Sequence, residues 1–263
     1  MTDAAGGGPG LPGRLAVVGL GPGDPAQRTA EVAARLDAAT DLVGYEPYLD
    51  LVGPLAGEPR RHPSDNRQED DRARFAMELA AAGRDVVVVS SGDPGVFAMA
   101  TAVVEQLERV AADERFAAVD LTILPGVSAA MAAAARLGAP LGHDFCVVSL
   151  SDVLKPWEVV ERRLDAAAGA DFVLALYNPI SRHRPWQLGR ALEVVARHRD
   201  PATPVVLATA VGRPDERSAV LPLGDVDPSA ADMSTIVLVG SSSTRRFEHR
   251  GRTWVYTPRR HPG

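Results

Sequence analysis

Asp85-Val86-Val87-Val88-Val89-Ser90-Ser91-Gly92-Asp93-Pro94-Gly95-Val96-Phe97-Ala98-Met99 is the stretch that decides the fold of this chain. Its four consecutive valines carry no polar alternation, the pattern of a strand buried on both faces in a parallel sheet. The run breaks in a glycine and proline turn, after which a helical apolar pattern takes over. Asp93 before Pro94 reads as a helix N-cap followed by proline at the first helical position. Such a turn presents backbone N–H groups at the carboxyl end of the strand, where open α/β sheets bind small ligands. The segment also reads as an ordinary strand-to-helix connection, so its meaning depends on its company.

Upstream, Leu15-Ala16-Val17-Val18-Gly19 is a second strand, leading into Gly19-Leu20-Gly21-Pro22-Gly23-Asp24-Pro25. A dinucleotide fingerprint would need a third glycine where Asp24 stands, and a carboxylate there would face a pyrophosphate, so an NAD site is excluded. Asp24 and Pro25 predict a second cap and first-turn pair, opening a helix to about Ala39 with Val32 and Leu36 on one face. A short strand at Leu42–Tyr45 precedes a loop with Arg60, Arg61, His62, Asp65, Arg67, Arg72 and Arg74. Asp65 and Gln68 form a capping-box pattern for a helix ending at Gly83. Met1 to Gly13, rich in glycine and proline, is expected to be a disordered tail.

Downstream, a helix passes through Val103, Val104 and Leu107 to about Ala112, and a strand at Leu121–Leu124 ends in Pro125-Gly126-Val127-Ser128. Ser128 is the expected N-cap of an alanine-rich helix closing at Gly138. Further strands are expected at Phe145–Leu150, Phe172–Tyr177, Val205–Ala210, Arg217–Leu221, Thr235–Val239 and Thr253–Tyr256, with helices at Pro156–Ala168 and Trp186–His198. The late strands follow one another without helices, which predicts a partly antiparallel sheet. The expected class is therefore α/β, with an N-terminal α/β domain over 14–124, its sheet mainly parallel, and a C-terminal α/β domain over 125–260, its sheet mixed.

Bulk properties narrow the function. No apolar run reaches membrane-spanning length and no secretory leader is legible, so the chain is expected to be cytoplasmic and without membrane attachment. One cysteine, Cys146, excludes an internal disulfide and a thiolate metal cluster. A net charge of −6 argues against nucleic acid as a partner, although the basic residues are almost all arginine, suited to carboxylate ligands.

Four loops each follow a strand: Gly21-Pro22-Gly23-Asp24, Ser91-Gly92-Asp93-Pro94, Pro125-Gly126-Val127-Ser128 and Tyr177-Asn178-Pro179. With Met233-Ser234-Thr235-Ile236-Val237-Leu238-Val239-Gly240 behind them, their order and spacing resemble the tetrapyrrole methylase family of S-adenosylmethionine-dependent methyltransferases. The resemblance runs from Leu15 to Tyr256. The doubled Ser90-Ser91, the Gly142–Asp152 segment, Tyr177–Ser181 and Tyr256-Thr257-Pro258-Arg259-Arg260 are most similar to the corrin branch of that family.

The resemblance implies two α/β domains with a donor-binding cleft between them, a homodimer, a tetrapyrrole substrate and S-adenosylmethionine as methyl donor with no metal. It places the donor against Ser91, Gly92, Asp93 and Val96, against Ser128 and Ala129, and against Tyr177, Asn178 and Ala208, with Pro22 and Asp24 near the substrate. A backbone glycine loop can approach the donor closely, and a carboxylate such as Asp93 can pair with its ammonium or accept from its ribose hydroxyls. Methylation of a precorrin carbon with ring contraction requires removal of a hydroxyl proton, for which Asp24, His62 and His143 are the candidates by residue type. Arg60, Arg61, Arg67, Arg245, Arg246, Arg259 and Arg260 are available for substrate carboxylates. A relative acting on a cobalt-loaded substrate and a non-catalytic nucleotide-sensing dimer stay open as alternatives.

Overall fold

The computed structural model describes residues 13–65, 68–181 and 184–260; Met1 to Pro12 of the expected tail, and Arg67, lie outside them. The chain divides into two compact units, Met1–Ser128 and Ala129–Gly263.

The first unit is built on five parallel strands: β1 (Arg14–Gly19), β2 (Asp41–Tyr45), β3 (Arg60–Ser64), β4 (Asp85–Ser90) and β5 (Asp120–Leu124), in the order β3-β2-β4-β1-β5. The valine run is the centre of this sheet, paired in parallel with β1 from Arg14↔Asp85 to Gly19↔Ser90. Its side chains alternate between two cores. Val86 and Val88 join Leu15 and Val17 beneath α3 (Glu69–Ala81) and α4 (Met99–Val110). Val87 and Val89 join Ala16 and Val18 beneath α1 (Ala30–Asp37) and α2 (Glu46–Val52). Burial on both faces explains why the run lacks polar alternation.

Local structure departs from the sequence expectations at several places. The Pro- and Arg-rich loop instead holds α2 and β3; Pro47 fits the first turn of α2, and Pro63 is tolerated because β3 is an edge strand. Asp24 caps only one 3-10 turn at Pro25–Gln27, accepting from Ala26 N at 2.8 Å, and α1 starts later under Thr29, whose hydroxyl accepts from Val32 N. Asp93 does not cap a helix: α4 begins at Met99, and its first N–H reaches back to Ser90 Oγ at 3.4 Å. Gln68 Oε1 accepts from Asp65 N at 3.1 Å, one of the two bonds of a capping box, but α3 starts only at Glu69 with Gln68 itself at the N-cap position, so the helix does not open at Asp65. At the far end of α3, Gly83 takes φ +80° and Arg84 N returns to Leu79 O, a glycine-terminated helix end.

The second unit has a mixed sheet of β7 (Phe145–Ser149), β8 (Val173–Tyr177), β9 (Pro204–Thr209), β10 (Arg217–Pro222) and β11 (Thr235–Val239), ordered β10-β9-β11-β8-β7. Only β7 and β8 pair in parallel; β11 pairs antiparallel with β8 and β9, and β10 with β9. Leu174, Leu176, Leu207, Val237 and Val239 pack with Val160 and Leu164 of α6 (Trp157–Gly169) and with Leu188, Ala191 and Val195 of α7 (Gln187–Ala196). The alanine-rich helix α5 (Ala129–Leu137) packs against β11. A small third sheet joins β12 (Arg245–His249), β13 (Arg252–Tyr256) and the two-residue β6 (Gly138–Ala139). β12 escapes sequence reading because all five of its residues are exposed. Among the described residues no helix is long and apolar enough to cross a membrane.

Candidate functional site

In the first unit the turns leaving β1, β4 and β5 meet at the carboxyl end of the sheet. Gly21 and Gly92 exchange backbone hydrogen bonds, Gly21 N to Gly92 O at 3.1 Å and Gly92 N to Gly21 O at 2.7 Å, at φ +75° and +69°. A Cβ on Gly19 would lie 2.5 Å from Gly92 O and 2.8 Å from Gly126 N; one on Gly126 would collide with Gly92 O and lie 2.7 Å from Gly19 O. Glycine at 19 and 126 is thus required by backbone-to-backbone contact, and at 92 by its positive φ.

Asp93 ties this junction together. Its Oδ1 accepts from Gly95 N at 2.8 Å and its Oδ2 from Gly126 N at 3.1 Å. The carboxylate therefore shapes the loop that sequence reading took for a helix start, and it retains lone pairs for a further donor, since an ionised carboxylate offers about four. Ser91, Gly92, Asp93 and Val96 are half-buried on this one loop, and Ser128, also half-buried, ends the turn after β5. Pro22 is buried and Asp24 half-buried on the turn after β1.

In the second unit, Tyr177 and Asn178 stand at the carboxyl end of β8. The Tyr177 hydroxyl accepts from Ala130 N at 3.0 Å, satisfying an N–H in the first turn of α5, which begins at the half-buried Ala129. Asn178 holds φ +53° and donates from Nδ2 to Ser149 Oγ at 3.0 Å. Asparagine is among the few residues that adopt this backbone readily, and its side-chain bond fixes it there. Ala208 lies inside the sheet, 2% exposed and paired with Ser218 and Ile236; the end of that strand is marked instead by Ala210, at φ +52°, whose N–H donates to Ser234 O at 3.0 Å. A pocket of about 540 Å³ opens here, lined by Ile180, Ser181 and Pro185 after β8 and by Ala231, Asp232, Met233 and Ser234 before β11.

The three candidate bases fall in different places. Asp24 stands at the carboxyl end of β1. His62, in the middle of β3, bonds through Nε2 to Oδ1 of Asp41, the first residue of β2, at 2.9 Å, so its ring is turned towards the opposite, amino end of the sheet. Asp41 is 1% exposed and also accepts from Arg84 Nε and Thr40 Oγ1, both at 2.7 Å. Burial alone would raise its pKa, but the bonds from Arg84, Thr40 and His62 outweigh this and hold it at about 2. His143 precedes β7, again an amino end, with Nδ1 accepting from Asp144 N at 2.8 Å. Within the first unit His62 is bonded away from the glycine junction, and within the second His143 lies at the end of β7 opposite to Asn178.

Several arginines serve the backbone. Arg61 donates to Leu49 O at 2.6 Å and to Gly53 O, closing the end of α2; Arg246 donates to Val220 O at 3.3 Å. Arg60, Arg245, Arg259 and Arg260 are exposed. Burial pushes the Cys146 thiol pKa up. Among the described residues no three His, Cys, Asp or Glu side chains gather as metal ligands.

Two arginines escaped sequence reading, Arg184 and Arg213. Each follows a strand of the second sheet and buries a guanidinium N–H that has no hydrogen-bond partner. Ser149, which holds Asn178, was also unmarked; its place one residue before the end of a predicted strand was the available signal.

Comparison with known proteins gives a consistent picture. Residues 14–227 match the family model described as Tetrapyrrole (Corrin/Porphyrin) Methylases. The chain is 54% identical over 254 residues to a precorrin-3B C(17)-methyltransferase from Sinorhizobium sp, covering 96% of this chain and 99% of that protein. It is 42% identical over 230 residues to a probable cobalt-factor III C(17)-methyltransferase from Salmonella typhimurium, covering 88% of this chain and 93% of the relative. A crystal structure of the methyltransferase CobJ superposes with a TM-score of 0.87 at 51% identity, over 94% of this chain and all of that one.

Proposed function

We infer the reaction from one premise: the chain belongs to the tetrapyrrole (corrin/porphyrin) methylase family, whose members are S-adenosylmethionine-dependent methyltransferases. We propose that this protein methylates precorrin-3B at C17, with ring contraction to precorrin-4, in cobalamin biosynthesis. The observation that carries this is the 54% identity with a precorrin-3B C(17)-methyltransferase over almost the full length of both chains. Identity to the cobalt-factor III relative is lower, at 42%.

The residues fit the donor. A carboxylate with spare lone pairs at Asp93 and the half-buried Ser91, Gly92 and Val96 suit an amine and ribose hydroxyls, and the small residues Ser128 and Ala129 are proposed as further donor contacts. Tyr177, Asn178 and Ala208 complete the proposed donor contacts, those of Ala208 resting on the resemblance alone. When bound, S-adenosylmethionine supplies an electrophilic methyl group on a sulfonium.

The chain's own task is to hold the substrate carbon in line with that methyl, and such alignment supplies several orders of magnitude in rate without a covalent enzyme intermediate. Ring contraction needs a proton acceptor for a substrate hydroxyl. Of the three candidates, Asp24 alone stands at a carboxyl strand end; one oxygen caps Ala26 N and the other is the proposed acceptor. His62 and His143 are tied at amino ends. A homodimer is proposed on the resemblance, and light scattering of the purified protein tests it.

Mass spectrometry with isotope-labelled S-adenosylmethionine and, separately, precorrin-3B and cobalt-factor III tests the reaction. Label in a contracted product from precorrin-3B is the expected result. Transfer only to the cobalt form would assign the enzyme to the metal-first route, and saturable donor binding with no transfer would favour a sensor.

A further inference from the structure

Arg184 and Arg213 stand apart from the other buried arginines of the second unit. Arg199, for example, donates to Gly240 O, Ala168 O and Phe172 O at 3.1, 2.6 and 2.9 Å. Arg184 Nη1 and Arg213 Nε are buried without any hydrogen-bond partner. In the first unit Arg28 and Arg35 also leave one N–H each, but Arg28 donates through its terminal nitrogens to Leu51 O and Val52 O, and Arg35 pairs with Asp85. A desolvated guanidinium N–H with no acceptor is costly, and buried polar groups are nearly always satisfied, so two at one end of one sheet point to a ligand.

Their positions are fixed by the backbone. Ser181 and Arg184 exchange hydrogen bonds, Ser181 N to Arg184 O at 3.0 Å and Arg184 N to Ser181 O at 2.9 Å. Arg213 N donates to Ala210 O at 2.9 Å, and Ala210 N to Ser234 O. Because β8 and β9 run in the same direction with β11 between them, the two arginine-bearing turns leave the same end of the sheet, about two strand spacings or roughly 10 Å apart. Ser181 and Pro185, which flank the Arg184 turn, and Ser234, which holds the Arg213 turn, line the 540 Å³ pocket.

The neighbouring acids leave the buried N–H groups without an acceptor. Asp152 accepts from Gln187 Nε2 at 3.2 Å and forms only a long ion pair with Arg184 Nη1, at 3.9 Å, beyond hydrogen-bond range. Glu216 pairs with Arg136 at 3.0 Å and accepts from Gly212 N at 2.7 Å. Asp232 pairs with Arg217 at 2.9 Å. In a chain of net charge −6, this end of the sheet keeps two positioned cations.

We propose that Arg184 and Arg213 receive carboxylate arms of the tetrapyrrole substrate and so set its orientation. The inference rests on the tetrapyrrole methylase reading. Guanidinium is the suited group, because its fixed fork matches a carboxylate in two parallel hydrogen bonds. The donor's amino-acid tail offers the same chemistry, and the test separates the two sources.

The experiment compares Arg184→Gln, Arg213→Gln and the corresponding Lys variants in the full chain. S-adenosylhomocysteine affinity by calorimetry reports folding and the donor site. Tryptophan fluorescence quenching by uroporphyrin and by its methyl ester reports carboxylate binding without turnover. KM and kcat are measured on precorrin-3B. Each Gln variant is expected to raise KM and weaken uroporphyrin binding at least tenfold. In each, kcat and S-adenosylhomocysteine affinity stay within twofold, the Lys variants recover part of the loss, and the ester binds wild type and variants alike. Normal KM and normal uroporphyrin binding in both Gln variants would overturn the assignment and leave the methylase reading intact. A fall in S-adenosylhomocysteine affinity with unchanged tetrapyrrole binding would transfer the arginines to the donor and also overturn it. Loss of uroporphyrin binding in the variants of a chain that methylates no tetrapyrrole would sink the methylase reading while keeping the two receptors.

Discussion

At the carboxyl end of the first unit's sheet, the turns after β1, β4 and β5 meet backbone against backbone through Gly19, Gly92 and Gly126, with Asp93 accepting from Gly95 N and Gly126 N. At the carboxyl ends of β8 and β9 in the second unit, the turns present side chains: Tyr177, Asn178, Arg184 and Arg213. The first arrangement tolerates no added atom, because its neighbours are main-chain atoms that cannot rotate away. The second is held by individual side-chain bonds, each removable alone. A rigid junction built from backbone and a set of separable side-chain contacts should therefore respond very differently to substitution.

The largest effect is expected at the junction. Gly126→Ala places a methyl group against Gly92 O and Gly19 O, and should cost about 3 kcal/mol of stability by urea unfolding and lower S-adenosylhomocysteine affinity more than tenfold. A variant that folds and binds like wild type would show that the junction yields, and would erase the contrast. Next is Asp41, at the other end of the same sheet. Its folded pKa of about 2 lies below its unfolded value, so its contribution is present above about pH 4 and is lost as pH falls towards 2. Asp41→Asn should cost about 2 kcal/mol at pH 7, and the gap from wild type should narrow at pH 3. An equal gap at both values would mean that packing, not charge, holds that end.

Asp93→Ala removes the acceptor for Gly95 N and Gly126 N and should weaken S-adenosylhomocysteine by roughly tenfold, with a stability loss of about 1–2 kcal/mol. Unchanged affinity in the folded variant would confine Asp93 to shaping its loop. Smallest is Tyr177→Phe, which removes one acceptor from the first turn of α5 and should cost about 1 kcal/mol in a thermal melt. A loss as large as that of Gly126→Ala would mean that the second unit's end is locked as tightly as the first.

What the sequence disclosed follows the same division. The valine run, the glycine turns and the mixed character of the second sheet were legible because burial on two faces and positive-φ turns leave strong local marks. Arg60-Arg61-His62-Pro63-Ser64 gave no strand signal, since an edge strand facing solvent needs no apolar residue, and Arg245–His249 was hidden for the same reason. Asp93-Pro94 imitated a helix start because one carboxylate can bond the N–H two residues on in either a cap or a turn; its bond to Gly126, 33 residues away, decided the outcome. Among the candidate bases, composition could not distinguish Asp24 from His62 and His143, because which end of a strand a residue occupies is a property of topology. Arg184 and Arg213 were invisible among many arginines, since what marks them is a missing partner, which exists only in three dimensions.

The Gly19–Gly92–Gly126 contact also has a meaning on the timescale of descent. Three codons far apart in the gene encode one joint solution, and no single-base route leads from it to a bulkier residue at one position without a matching backbone shift at the others. Diversification of such a chain is thereby channelled away from the first unit's strand ends and into the second unit's side chains.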